Sequence, residues 1–165
     1  MSHDRTVSLA VSAADSALVA VSGWPGPDLQ ASTSHKETIW LSADAGATWH
    51  DATNNMLSAS GVCLRPHGGV CGRGRPSALL LLPLPSGAHA LLVGTVNGVL
   101  AALVPRGQPS VNAYTRLGGC TELPLVLVAG LSYEPTSDTL VAATMGRGVY
   151  TMHGAAEAIA KVLGA

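Results

Sequence analysis

Short apolar runs alternate with turn residues along most of the chain. Eleven runs have the length and composition of β-strands, at residues 6–13, 17–23, 38–43, 48–53, 77–85, 89–96, 98–105, 110–117, 123–133, 139–145 and 148–152. The 19 glycines and 10 prolines indicate frequent turns and few helices. Closely spaced short strands separated by turn signals predict an all-β fold.

The strand-like runs form three sets with a common order of features. The stretches "DSALVAVSG" (15–23), "AHALLVGTVNGVLAAL" (88–103) and "SDTLVAATMGRGVYTM" (137–152) each pass from a polar turn into an apolar strand of small residues. About four strands per repeat is typical of β-propeller blades. Strands that are apolar without alternation fit burial on both faces. We therefore predict about three propeller-like blades of four antiparallel strands, forming an incomplete ring over residues 1–152.

The last residues, 153–165, have a different pattern. The spacing of their apolar side chains predicts a short amphipathic helix with a stripe made of Ala155, Ala158, Ile159, Val162 and Leu163. Glu157 and Lys161 form a favourable i, i+4 pair, and Gly164 is a suitable stop. We expect this helix to lie on the domain's own surface, with docking onto a partner chain as the alternative.

A long stretch without charge raises the question of a membrane span. Residues 76–105 contain no charged side chain and are long enough to cross a bilayer as a helix. Proline and glycine interrupt this stretch at Pro83, Pro85, Gly87, Gly94 and Gly98. This density of turn residues favours short buried strands, and membrane association remains the weaker alternative.

Composition narrows the class of protein further. Charged residues make up 12% of the chain and hydrophobic residues 47%, enough apolar surface to form a core. The formal net charge of −1 predicts no binding of nucleic acid or anionic membranes. The chain has no phenylalanine, so the core should be aliphatic. The N-terminus lacks the pattern of a signal peptide, and the compartment stays open.

The cysteines and histidines predict neither a disulfide framework nor a metal site. Cys63, Cys71 and Cys120 are an odd number, and a Cys63–Cys71 bridge and free thiols both remain possible. His67 lies between the first two cysteines, but a structural zinc site needs four ligands. The remaining histidines are scattered without metal spacing. We predict no metal and no cofactor.

The octet "SADAGATW" (42–49) is the most specific motif in the chain. Its defined positions are Ser42, Asp44, Gly46, Thr48 and Trp49, which match the Asp-box pattern Ser-x-Asp-x-Gly-x-Thr-Trp throughout. The octet resembles the Asp-box (BNR) repeat of sialidases, sortilin-type receptors, xyloglucanases and propeller-type photosystem II assembly factors. The resemblance implies a β-propeller.

A second stretch carries the same resemblance. The turn "TMGRGVY" (144–150) is similar to a T-x-G-x-G-V-Y turn that joins two inner strands of a blade in these families. Its corresponding residues are Thr144, Gly146, Gly148 and Tyr150. The two stretches cover the first and third sets, while the middle set matches only in pattern.

The resemblance implies a structural role for the octet, as the hairpin turn between the last two strands of a blade. Asp44 should accept backbone N–H groups across the turn, and Gly46 should supply a positive φ. Trp49 should lie flat over the hairpin and bury apolar area worth about 2–3 kcal/mol. In the family this turn lies on the rim, away from the catalytic face. A ligand or glycan contact by Asp44 or Trp49 is the alternative.

Catalytic motifs of these families are missing from the sequence. The arginine triad of sialidases has no counterpart, because Arg65, Arg73 and Arg75 crowd one glycine-rich loop. Tyr133 and Glu134 are adjacent on a strand and should point to opposite faces, so they cannot easily act together. The carboxylates that a xyloglucanase-like enzyme would need all lie in turns or at strand ends: Asp15, Asp28, Asp51, Glu122 and Asp138. We predict no catalytic residue.

These observations favour a non-catalytic propeller module for protein binding or complex assembly. Three blades are too few to close a ring, since propellers hold about four to eight. The chain is therefore expected to be a fragment of a longer propeller, to be completed by a partner or by copies of itself, or to cover its edges with residues 54–76 and the tail. Self-association would use the open blade edges and the C-terminal helix. The alternative function is a fragment of a glycan-processing glycoside hydrolase.

Overall fold

The computed structural model describes residues 5–24, 38–56, 75–118 and 122–165. These residues form three antiparallel sheets and one helix. Sheet 1 contains β1 (Arg5–Val11), β2 (Val19–Trp24), β3 (Thr38–Ser42) and β4 (His50–Asp51). Sheet 2 contains β5 (Ala78–Pro83), β6 (His89–Thr95), β7 (Gly98–Val104) and β8 (Thr115–Arg116). Sheet 3 contains β9 (Val128–Glu134), β10 (Thr139–Thr144) and β11 (Gly148–His153), and helix α1 spans Ala155–Leu163.

The predicted all-β class with about three sheets and a short C-terminal helix is confirmed. Within each sheet every strand pairs with the next strand along the chain, as hairpin connections require. The fourth strands are shorter than predicted, because β4 and β8 have two residues each. Sheet 3 has three strands among the described residues instead of the four predicted.

The sheets stack face to face, with sheet 2 in the middle. The first core lies between sheets 1 and 2 and includes Ile39, Leu41, Leu91 and Leu100, all almost fully buried. The second core lies between sheets 2 and 3 and also takes up α1. Every residue of β6 is buried. This two-sided burial explains why residues 89–95 are apolar without alternation.

The first strands of the three sheets lie next to each other, with β5 against both β1 and β9. Two serines connect these strands. The Ser8 hydroxyl accepts the N–H of Leu79 (3.1 Å), and the Ser77 hydroxyl donates to the Val128 carbonyl (2.6 Å). Polar bonds between adjacent sheets are possible here because the small side chains let the backbones approach.

The uncharged stretch 76–105 forms three strands and their turns rather than a helix. Among the residues described by the structure, no helix has the length and apolar character needed to span a bilayer. Of the prolines and glycines that predicted this outcome, Gly94 lies within β6 and the other four lie at strand ends and turns. Gly87 (φ 80°) and Gly98 (φ 100°) adopt left-handed conformations there.

Helix α1 begins after Gly154 (φ 64°) and ends at Gly164 (φ 69°), as predicted for its C-terminus. Its buried residues are Ala155, Ala156, Ile159 and Ala160. The predicted apolar stripe is therefore partly wrong, because Ala158 and Val162 are exposed. The helix packs against the second core through the face that carries Ala156 and Ala160. These small side chains allow the helix to approach the sheets closely.

Several predictions fall outside the described residues. They concern a possible bridge or free thiols at Cys63, Cys71 and Cys120, the loop with Arg65 and Arg73, a zinc ligand at His67, and Asp28.

Candidate functional site

The octet forms the turn between β3 and β4, the last two strands of sheet 1, where the resemblance placed it. Asp44 gathers the donors of this turn. One carboxylate oxygen accepts the Ser42 hydroxyl (2.7 Å) and the Thr48 N–H (2.8 Å), and the other accepts the Thr48 hydroxyl (2.5 Å). The predicted acceptance of a backbone N–H across the turn is confirmed. The Ser42 oxygen also accepts the Gly46 N–H (2.8 Å), so three polar side chains and the Gly46 backbone hold one loop.

Hydrogen bonding favours the ionised form of Asp44 strongly. The bonds from Thr48, followed by the one from Ser42, lower the pKa of this carboxyl to about 2 from an ordinary value of 3.8. The Asp44 carboxylate is exposed to solvent, yet its lone pairs are directed at neighbours within the turn. Its chemistry is that of a turn-stabilising acceptor.

Gly46 and Trp49 form the apolar part of the turn. Gly46 has the predicted positive φ (92°). A Cβ atom at Gly46 would lie 3.4 Å from Cζ2 of Trp49, so the indole packs against the glycine. Trp49 buries the larger part of its surface, and 40% of the residue remains exposed. The indole thus covers the turn on one side and faces solvent on the other.

The two other sheets share a second kind of turn. The Thr144 hydroxyl donates to the Gly148 carbonyl (2.7 Å) in sheet 3, and the Thr95 hydroxyl donates to the Gly98 carbonyl (2.9 Å) in sheet 2. Both glycines have positive φ, as does Gly146. The similarity of the middle and third sets, visible in the sequence only as a pattern, therefore extends to a hydrogen bond. Beyond this turn, Tyr150 lines a cavity of about 210 Å³ between sheets 2 and 3.

The residues considered for catalysis have structural partners. The Tyr133 hydroxyl donates to Asp138 (2.9 Å), and the other bond to the same carboxylate oxygen comes from the Ala156 N–H at the start of α1 (2.9 Å). Glu134 accepts the Thr136 N–H within the following turn (2.8 Å). Burial and the Asp138 carboxylate raise the pKa of Tyr133. Tyr133 and Glu134 therefore stabilise the β9–β10 turn.

Sequence reasoning missed one pair, Ser12 and His89. The Ser12 oxygen accepts the N–H groups of Ala14 and Asp15 (3.1 Å each), so its proton is directed to Nε2 of His89 at 2.8 Å. Burial lowers the pKa of His89, although the Asp15 charge opposes this. His89 borders a cavity of about 520 Å³ that also has Arg106 in its wall. The two accepted N–H bonds make Ser12 a cap of the β1–β2 turn. The signal available for this pair was His89 itself, a histidine at the first position of β6, whose residues are all buried.

One apolar surface is open to solvent. Side chains on the side of sheet 1 away from sheet 2 form the outer face of sheet 1, made of Leu9, Val11, Val19, Val21, Trp40 and Trp49. Leu9 is 58% exposed, Val11 50%, Trp40 39% and Trp49 40%. Leu9, Val21 and Trp40 lie opposite one another on consecutive strands, so the surface is continuous.

The other end of the stack differs in side-chain size. The outer face of sheet 3 is turned away from sheet 2 and consists of Gly130, Ser132, Val141, Ala143, Val149 and Thr151. These residues are small or β-branched, and Val149 is 63% exposed. The stack therefore ends in a face of large apolar side chains on one side and a face of small ones on the other.

Neither a protein-family model nor a curated protein matches the chain. Within the ranges described above, no group of three or more histidine, cysteine, aspartate or glutamate side chains is arranged to hold a metal ion.

Proposed function

We propose that this chain is a non-catalytic module of the Asp-box propeller type that binds a protein partner through the outer face of sheet 1. The observation that carries the proposal is the joint exposure of Leu9, Val11, Trp40 and Trp49 on that face. A continuous apolar surface with two tryptophans is typical of protein interaction sites.

The Asp-box turn supports the same proposal from its geometry. Asp44 and Thr48 bond each other, and Ser42 bonds Asp44, so the polar groups of the octet act within the turn. Trp49 is held by this turn, and it lines one surface hollow together with Trp40 and Val21. The turn thus positions an aromatic side chain on the outer face of sheet 1, a rigid support of the kind that anchors at interfaces require.

A photo-crosslinking amino acid in place of Val11 tests this function. We expect the labelled chain to give one discrete, identifiable protein adduct in an extract of its source cells. The same label in place of Val162 is the control, because Val162 is similarly exposed (53%) but lies on α1. Equal labelling from both positions, or none from position 11, would contradict the proposal.

Enzyme assays test the glycoside hydrolase alternative. The purified chain is incubated with fluorogenic sialosides and with β-glucans, and we expect no turnover above a heat-denatured sample. Reproducible hydrolysis that disappears in one of the Asp→Ala or Glu→Ala variants would show that the chain is an enzyme and would contradict the proposal of a non-catalytic module.

A further inference from the structure

We propose that a cavity at one edge of sheets 1 and 2 binds a free amino acid with an aliphatic side chain. The observation that carries this proposal is a buried N–H group of His89, in the cavity wall, that has no acceptor among the described residues. The cavity shares no residue with the outer face of sheet 1, so this site goes beyond the proposed function and does not depend on it.

The connections between strands form the cavity, which has a volume of about 520 Å³. The turns between β1 and β2, β3 and β4, and β5 and β6 meet there with the loop that follows β7. Small-molecule sites typically have volumes of about 300–1,000 Å³, with apolar walls and a few polar groups that orient the ligand. The apolar wall of this cavity includes Leu18 and Pro105, and its polar side chains are Asp15, His89, Arg106 and Gln108.

The hydrogen bond to Ser12 determines which nitrogen of His89 carries the proton. The Ser12 oxygen accepts the N–H groups of Ala14 and Asp15, so both of its lone pairs are used and its own proton is donated to Nε2 of His89. The neutral ring therefore carries its proton on Nδ1. His89 is only 7% exposed, and no group in the described part of the chain accepts this Nδ1–H. An unpaired buried donor costs free energy, which a ligand oxygen in the cavity recovers.

Two opposite charges lie in the wall of the same cavity. Arg106 is exposed and forms no ion pair within the described ranges, so its guanidinium is available to a carboxylate. One carboxylate oxygen of Asp15 accepts the Ala17 N–H (3.0 Å), and the other is available to an ammonium group. A simple anion would be repelled by Asp15 and a simple cation by Arg106, whereas a zwitterion complements both charges.

The positions of these groups select an amino acid as the ligand. Its carboxylate binds Arg106 and the Nδ1–H of His89, and its ammonium group binds Asp15. Its aliphatic side chain lies against the apolar wall that includes Leu18 and Pro105. Water fills the remaining volume and bridges polar groups, as is common in such sites.

Calorimetric titration with L-leucine tests the site. We expect saturable one-to-one binding to the unmodified chain. Arg106→Gln and Asp15→Asn should each weaken binding at least about tenfold, because each removes a charged partner of the ligand. Arg147→Gln is the matched control, because Arg147 is an exposed arginine in the β10–β11 turn, and this variant should keep the affinity of the unmodified chain.

Two derivatives of leucine separate the contributions of its charges. N-acetylleucine lacks the ammonium group, and leucinamide lacks the carboxylate. Each should bind at least about tenfold more weakly than leucine, because each leaves one charge of the cavity without a partner. Affinity equal to that of leucine for either derivative would overturn the assignment of a zwitterion.

Nuclear magnetic resonance of a chain with isotope-labelled histidine locates the ligand. We expect Nε2 of His89 to have the resonance of an unprotonated nitrogen, and the Nδ1 resonance of His89 to shift when leucine is added. His153, whose Nδ1 bonds the Thr139 hydroxyl (3.0 Å) in sheet 3, is the internal control and should not shift.

Absence of leucine binding, equal affinity of Arg106→Gln and the unmodified chain, or an unchanged His89 Nδ1 resonance would overturn the site. Crosslinking from position 11 would keep its meaning in each case, because Val11 does not line the cavity.

Discussion

At the scale of single residues, Asp44 holds the β3–β4 turn in its folded conformation. One carboxylate accepts bonds from residues two positions before it and four positions after it. Such local bonds hold the turn in the folded chain and are weakened when the carboxylate is protonated. This turn also supports Trp49 on the outer face of sheet 1, so the protonation state of one exposed carboxyl affects the surface proposed for partner binding.

Asp44→Asn should lower the melting temperature at neutral pH and have little effect in strong acid. The folded pKa of about 2 lies below the ordinary 3.8, so the stabilisation is complete above 3.8 and is lost as the pH falls through 2. Thermal unfolding followed by circular dichroism across this range measures the difference. Glu157→Gln, which removes a carboxylate from α1, controls for the change in net charge. Parallel curves for Asp44→Asn and the unmodified chain at all pH values would contradict this role.

At the scale of elements, strand positions were predictable and the contacts between sheets were not. All eleven strands overlap the predicted runs, because each is an apolar stretch ended by turn residues. The α1 stripe was partly wrong because alanine fits either side of a helix, and the face that packs is chosen by the space left between sheets 2 and 3. β4 and β8 are short because these fourth strands pair with their neighbours over only two residues. The hydrophobic period of the sequence does not encode the length of that pairing.

The close approach of β6 and β9 gives a prediction for Gly94. A Cβ atom there would lie 3.0 Å from Cγ1 of Val128 and 3.1 Å from the Val128 carbonyl oxygen. Gly94→Ala should therefore destabilise the chain by about 1–3 kcal/mol, because the backbone of β9 would have to move. Urea unfolding at low protein concentration measures this free energy.

Gly130→Ala is the matched control for Gly94→Ala, since a Cβ at Gly130 would lie at an ordinary 3.8 Å from Cβ of Ala143. It should be neutral or stabilising by up to about 1 kcal/mol, because alanine restricts the unfolded chain. Equal losses from the two substitutions would show that the separation of sheets 2 and 3 is not limiting at Gly94.

At the scale of the whole molecule, sheet 2 links the parts. It contributes side chains to both cores, so neither sheet 1 nor sheet 3 can lose its contacts without exposing sheet 2. The same stacking leaves two unlike faces at its ends. The architecture therefore combines an interior shared by all three sheets with two exposed faces of unlike composition.

The aromatic residues allow this cooperativity to be measured. The three tryptophans belong to sheet 1 and its β3–β4 turn, while Tyr133 and Tyr150 lie in sheet 3 and Tyr114 is buried in the first core. We expect tryptophan fluorescence and tyrosine near-ultraviolet dichroism to change at one urea midpoint. Ile159→Ala, in the second core, should lower both midpoints together and cost about 2–5 kcal/mol. A tryptophan transition that keeps its midpoint in this variant would contradict a single cooperative unit.

The sequence by itself determined the strands, the position and geometry of the Asp44 turn, and the end of the helix at Gly164. These features depend on periodicity and on hydrogen bonds between residues a few positions apart, which are written locally in the chain. Only the tertiary structure decided that Ser12 bonds His89, 77 residues away, and that Leu9 and Trp40 face solvent while Leu91 is buried. Leu9, Trp40 and Leu91 are all apolar strand residues. Their exposure differs because burial depends on which sheet is stacked against which face.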